Sequence, residues 1–212
     1  MSRKGTLTLT SKSTSTLVEP QWGPAKWIPW VPWDTESGSI PFCAGVCSGG
    51  IMTGVEADSF DEPAFFGAVA GSGARALLIG RQALIALGLS VMTADYDYWL
   101  HIDDMEAFNR ALAQFDLRPS RPPEQARATG RYVLENSHKI DVLVARAVPT
   151  VDGTRVAFDG VWQRRQSVHV FPGVVVTMPS LDDLILTKRF GARPKDAEDI
   201  RLLEVLRARG GS

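Results

Sequence analysis

The stretch "MTADYDYWLHI", residues 92–102, sets Asp95 and Asp97 two positions apart among Tyr96, Tyr98 and Trp99. On a strand, residues spaced i, i+2 project from the same face. Two carboxylates held that close repel by about 4 kcal/mol at an effective dielectric of roughly 20 and about 4 Å separation. Such a pair marks either a solvated strand edge or a place built for a cation. A third acid, Asp141, interrupts the run "HKIDVLVAR", where Ile140, Val142 and Val144 share the opposite face. An acid in an apolar strand is costly unless it is paired or bound to a cation. If the two strands are neighbours, three carboxylates converge and could hold two Mg2+ ions. Such ions activate an attacking hydroxyl and neutralise a leaving pyrophosphate.

Upstream, "RALLIG" reads as a buried strand ending at Gly80, and "RQALIALG" as a short helix closed by Gly88. A glycine between strand and helix leaves backbone N–H groups where an anion can approach. Residues 82–94 suffice for that helix and a return to the neighbouring strand. A phosphate-binding turn at Gly80 would then lie beside the acid pair. Mg2+ prefers carboxylates together with substrate phosphates, so the combination has the chemistry of a metal–nucleotide site.

The elements that must carry these residues can be read around them. "DEPAFFGAVAGSG" predicts a helix capped by Asp61, with Pro63 in its first turn and Gly71 as its stop. "DDMEAFNRALAQFDL" predicts an amphipathic helix with Asp103 and Glu106 as a capping box and Met105, Phe108, Leu112 and Phe115 on one face. "RPSRPPEQARATGR" reads as a solvated connection, or as a loop whose arginines (Arg118, Arg121, Arg127, Arg131) meet RNA phosphates. "RYVLEN" and "HKIDVLVAR" predict a hairpin about residues 136–138. Short strands are expected in "TRVAFDG", "SVHVFPG" and "VVVTM". Ser180 caps "LDDLILTKRFG", and "DAEDIRLLEVLRA" is the last helix.

Composition bounds the rest. The 212 residues suffice for one substantial core, and a net charge of −1 advertises no general affinity for nucleic acid. Residues 1–57 hold four of the six tryptophans and a Pro/Gly-rich pattern, with "WGPAKWIPWVPW" at their centre. They read as a leader, disordered or folding on a partner, and residues 58–212 as the domain. Cys43 and Cys47 have no second ligand pair nearby, so a zinc site is not expected. No apolar run approaches the roughly 20 residues of a membrane span, and no secretory signal opens the chain, so a cytoplasmic protein is expected. There is no G-x-S-x-G and no Walker-type loop, which argues against hydrolase and P-loop chemistry.

Three ordered motifs, "LLIGR", "TADYDYW" and "KIDVLV", resemble the signature of the minimal nucleotidyltransferase superfamily (the polymerase-β-like fold). The late segment "LILTKRFGARPKDAEDIRLL", residues 184–203, is similar to that of the AbiEii-type toxin branch. The resemblance spans about residues 75–206. It implies an α+β fold with a mixed sheet flanked by helices and a C-terminal helical segment. It further implies a Mg2+- or Mn2+-dependent enzyme moving NMP from an NTP to a hydroxyl of RNA such as tRNA, of a protein or of a small molecule, with an antitoxin as a possible partner. Asp95, Asp97 and Asp141 would be the metal ligands, Asp141 aligned with the acceptor hydroxyl. Gly80 would form the phosphate turn, Lys188 would reach the triphosphate, and Asp196 would be a supporting polar residue or base. Arg81 departs from the family's Gly or Ser: it would either clamp the triphosphate or block the turn. The second outcome leaves a non-catalytic nucleotidyltransferase-like module that acts by binding.

Overall fold

The computed structural model describes residues 60–191 and 193–210. The proposed leader, with its tryptophans and both cysteines, lies outside them. The elements in chain order are α1 (Glu62–Gly71), β1 (Ala76–Ile79), α2 (Gly80–Ala86), β2 (Tyr96–Leu100), α3 (Met105–Leu112), a 3-10 turn (Ala113–Phe115), β3 (Arg118–Pro119), α4 (Pro123–Thr129), β4 (Arg131–Glu135), β5 (Lys139–Leu143), β6 (Ala147–Pro149), β7 (Arg155–Ala157), α5 (Phe158–Gln163), β8 (Gln166–Phe171), β9 (Val174–Met178), α6 (Leu181–Lys188) and α7 (Pro194–Gly210). No helix among the described residues is long and apolar enough to cross a membrane.

The expected α+β class is what is found. Five strands form a mixed sheet in the order β1-β2-β5-β4-β3. Strand β2 runs antiparallel to β1 and parallel to β5, and β4 and β5 form the expected hairpin. Alternation of side chains gives the sheet two apolar faces. On one, Leu78, Tyr96, Tyr98, Leu100, Tyr132, Leu134, Ile140 and Val142 pack with Phe65 and Phe66 of α1 and Phe108 and Leu112 of α3. On the other, Leu77 and Trp99 pack with Val148, Val156, Phe158 and Val161. Trp99 is fully buried, its indole N–H donating to the Ala145 carbonyl at 2.8 Å. The second cluster covers one end of its face. Asp97, one alternation before Trp99 on the same face, is partly buried, and its register partner Ile79 packs against that cluster.

Helix ends follow the sequence in places. Asp61 accepts the Ala64 N–H at 3.0 Å, and Ser180 accepts that of Asp183 at 3.2 Å, as two N-caps should. The capping box at Asp103 and Glu106 is not formed. Asp104 precedes α3 without a side-chain cap bond, because its carboxylate is taken by the Arg75 guanidinium at 2.7 and 3.0 Å. The charged bidentate pair outcompetes a neutral N–H donor for the same oxygens. The helix also stops at Leu112, where the chain tightens into the 3-10 turn and Asp116 turns left-handed at φ 55°. The Pro/Arg segment is no simple connection. Pro123 starts α4, whose Ala126 is fully buried, and Gly130 closes it at φ 71°. Of "TRVAFDG", expected as a strand, only Arg155–Ala157 is one: its last three residues open α5, with Phe158 and Val161 buried against Trp99's cluster.

Candidate active site

The site is built where β1, β2 and β5 meet the turn into α2. Ile79 pairs with Asp97, and Asp97 pairs in turn with Asp141 on the parallel strand. Gly80 follows at φ 69°, a conformation that L side chains rarely adopt. A Cβ placed on Gly80 would lie 2.0 Å from Asp97 Oδ2 and 2.9 Å from Asp97 Cβ. Both backbone shape and contact therefore demand glycine, and the turn is fitted against the carboxylate. Asp95 lies just before β2 and is exposed, with Thr93 Oγ1 accepting its N–H at 3.2 Å. Asp97 and Asp141 are half-buried and form the inner pair.

Electrostatics set this pair apart. Burial, and then the neighbouring Asp141 charge, push the Asp97 carboxyl above the usual carboxylate range. Lys188 and Arg193 pull it back, and Asp95 adds a further push. Lys139, on the same face of β5 as Asp141, places Nζ 2.9 Å from Asp141 Oδ2. Burial works against its charge, but the hydrogen bond and the charges of Asp141, Asp95 and Asp97 raise the ammonium above its ordinary value.

No family model matches the chain, and no curated protein matches it. Solved structures do. TM1012 of Thermotoga maritima, a nucleotidyltransferase by assignment, is 14% identical, with a TM-score of 0.44 over 69% of this chain and 88% of its own. The antibiotic-resistance factor ANT(2'')-Ia is 15% identical, with a TM-score of 0.47 over 69% of this chain and 86% of its own. Likeness at this level leaves the functional reading to the side chains themselves.

The remaining candidates gather on α6 and α7. Lys188, 4% exposed, donates to Asp199 Oδ2 at 2.8 Å, and Asp199 is fully buried. Arg81 reaches the same carboxylate, with Nε 3.1 Å and Nη2 3.1 Å from Oδ1. It also donates to the Met92 carbonyl at 3.3 Å and lies 3.6 Å from Glu198. Arg81 is thus a strut joining α2, the segment before Asp95 and α7, a role neither sequence-based alternative contained. Burial opposes Asp199's charge, but hydrogen bonds from Lys188 and then Arg81 outweigh it and hold the carboxyl below its usual range. Asp196, 2% exposed, is gripped by Arg193 at 2.7 and 2.9 Å.

The structure therefore brings Gly80, Asp97 and Asp141 together, with Asp95 at the rim and the charges of Lys188 and Arg193 acting on Asp97. Asp196 faces Arg193 instead. Sequence reasoning missed Asp199 and Lys139. The i, i+3 spacing of Asp196 and Asp199 put both acids within reach of one helix face, and only the fold shows which one meets Lys188. Lys139 was legible by its i, i+2 spacing from Asp141.

Proposed function

We propose that the chain is a Mg2+- or Mn2+-dependent nucleotidyltransferase, moving NMP from an NTP to a hydroxyl acceptor. The observation that supports this best is the Gly80 turn fitted against Asp97, itself in register with Asp141. Among the described residues no group of three or more His, Cys, Asp or Glu side chains is arranged as a metal centre. The inner donor set is nonetheless suited to a hard cation: it is anionic and all-oxygen, and its like-charge strain is relieved by a positive ion. Asp97 and Asp141 would hold that ion, with Asp95 joining from the rim. Bound there, it would supply charge neutralisation along the triphosphate and a lowered pKa for the acceptor hydroxyl.

The residues of the chain do the rest. Gly80, lacking a side chain, lets the Asp97 carboxylate pack against the turn whose backbone would meet a phosphate. Asp141 orients the acceptor hydroxyl and draws off its proton as the acceptor oxygen bonds to the α-phosphorus. The bond to the bridging oxygen breaks, and pyrophosphate leaves with the electron pair. Arg81 and Lys188, pinned to Asp199, tie α2 and α6 to α7, and the charges of Lys188 and Arg193 act on Asp97. Catalysis by positioning and charge needs no nucleophilic side chain. The acceptor is RNA, a protein or a small molecule, and a toxin role with a partner antitoxin fits the late-segment resemblance.

The test incubates the full chain with Mg2+, each labelled NTP and total tRNA, then resolves RNA, protein and small-molecule products. Wild type transfers label and Asp95→Ala/Asp97→Ala does not. Equal transfer by both proteins would refute the reading. Metal-independent NTP binding without transfer would favour the non-catalytic module.

A further inference from the structure

Lys139 opens β5 directly opposite Glu135 on β4, the pairing an ordinary surface lysine would use. Its Nζ lies instead on Asp141 Oδ2 at 2.9 Å, with both side chains partly exposed. Asp141 in turn is the register partner of Asp97. One ammonium thus sits on the carboxylate that lies in register with Asp97.

Resting on the nucleotidyltransferase reading, we propose that Lys139 is the built-in second cation of the site, so that the carboxylates hold one divalent ion rather than two. The ammonium cancels one of the three negative charges, and a single divalent ion balances the other two. An ammonium is a compact point charge with three donors, able to hold one carboxylate oxygen and turn a further N–H towards a phosphate. A neutral residue at position 139 would leave an uncompensated charge and room for a second ion.

The experiment titrates the metal-free full chain with Mn2+ and counts bound ions from the paramagnetic resonance of the free ion. Wild type and Lys139→Arg take up one Mn2+ per chain. Lys139→Met takes up two, as does Lys139→Gln, which serves if the methionine variant fails to fold by circular dichroism. Two ions in wild type, or a single ion in a folded neutral variant, overturn the assignment. No uptake by wild type overturns it together with the metal-dependent reading. One bound ion with no transfer of label from any NTP removes the transfer reading and leaves the role of Lys139 standing.

Discussion

Lys188 Nζ and Asp199 Oδ2 lie 2.8 Å apart, and both side chains are sealed from solvent. Removing one partner of a buried pair strands the other charge, at a cost of about 3–5 kcal/mol. Asp199→Ala strands Lys188 and leaves Arg81 only Glu198 as a carboxylate neighbour, and should reach the upper part of that range in urea denaturation. Lys188→Met should cost less, because Arg81 still neutralises Asp199. The double variant should be more stable than the sum of the single losses implies.

Gly80→Ala should lose activity through Asp97. The new methyl group meets the carboxylate and the β-carbon, so Asp97 must rotate out of its place. The left-handed backbone adds about 1–2 kcal/mol of strain. Expected outcomes are a fall in melting temperature and at least a tenfold slower transfer of label, about 1.4 kcal/mol in barrier height. A variant with wild-type rate and a lowered melting temperature would separate the turn from the chemistry.

Asp97 makes stability depend on pH with a definite sign. Its carboxyl is raised in the folded chain, by burial and then by Asp141, so the folded state holds that proton more firmly. The associated stability is complete below the ordinary carboxylate range and is lost as pH rises through the folded value. In metal-free buffer Asp97→Asn should therefore match wild type in acid and melt a few degrees higher at neutral pH. Asp199 has the opposite sign: its carboxyl is lowered, so its contribution is lost as pH falls. Thermal melts across the acidic range test both.

Arg81→Ser, which puts a small residue directly after Gly80, should not free the site. It removes the hydrogen bonds to Asp199 and the Met92 carbonyl, and bonds to charged groups contribute about 1.5–3 kcal/mol each. The expected result is lower stability and unchanged or weaker NTP affinity by calorimetry. Tighter NTP binding and faster transfer would show that Arg81 obstructs the turn.

Tyr98 has a fully buried hydroxyl with no hydrogen-bond partner among the described residues. Burying an unpaired hydroxyl is unfavourable, so Tyr98→Phe should be neutral or stabilising by up to about 1 kcal/mol. The ring contacts with Phe65 and Phe108 survive the change. A loss of stability in chemical denaturation would reveal a polar partner for the hydroxyl.

The sheet was legible because its signals are local. Alternation in β2 and β5 set their acids on one face of each strand, and Gly80 marked a turn that needs φ above zero. The helices failed where a longer-range contact intervened. Asp104 is a good cap by type, but Arg75, 29 residues earlier, claims its carboxylate. The arginine-rich segment looked solvated because its few apolar residues show no periodicity, although Ala126 alone suffices to bury one turn of α4. Within the site, Asp97, Asp141 and Gly80 follow from strand register and turn chemistry. The tie of Arg81 to Asp199 could not be read, because the two lie 118 residues apart. Spacing carries no information at that range.

That separation also sets an order of events during synthesis. Gly80, Asp97 and Asp141 are all available early, and every strand of the sheet that joins them precedes α7 in the chain. Arg81 and Lys188 acquire their shared counter-ion only after residue 199 has left the ribosome. Until then the segment before Asp95 lacks its tie, through Arg81, to α7. The nascent chain thus carries the acids of the site well before it carries the frame that holds them.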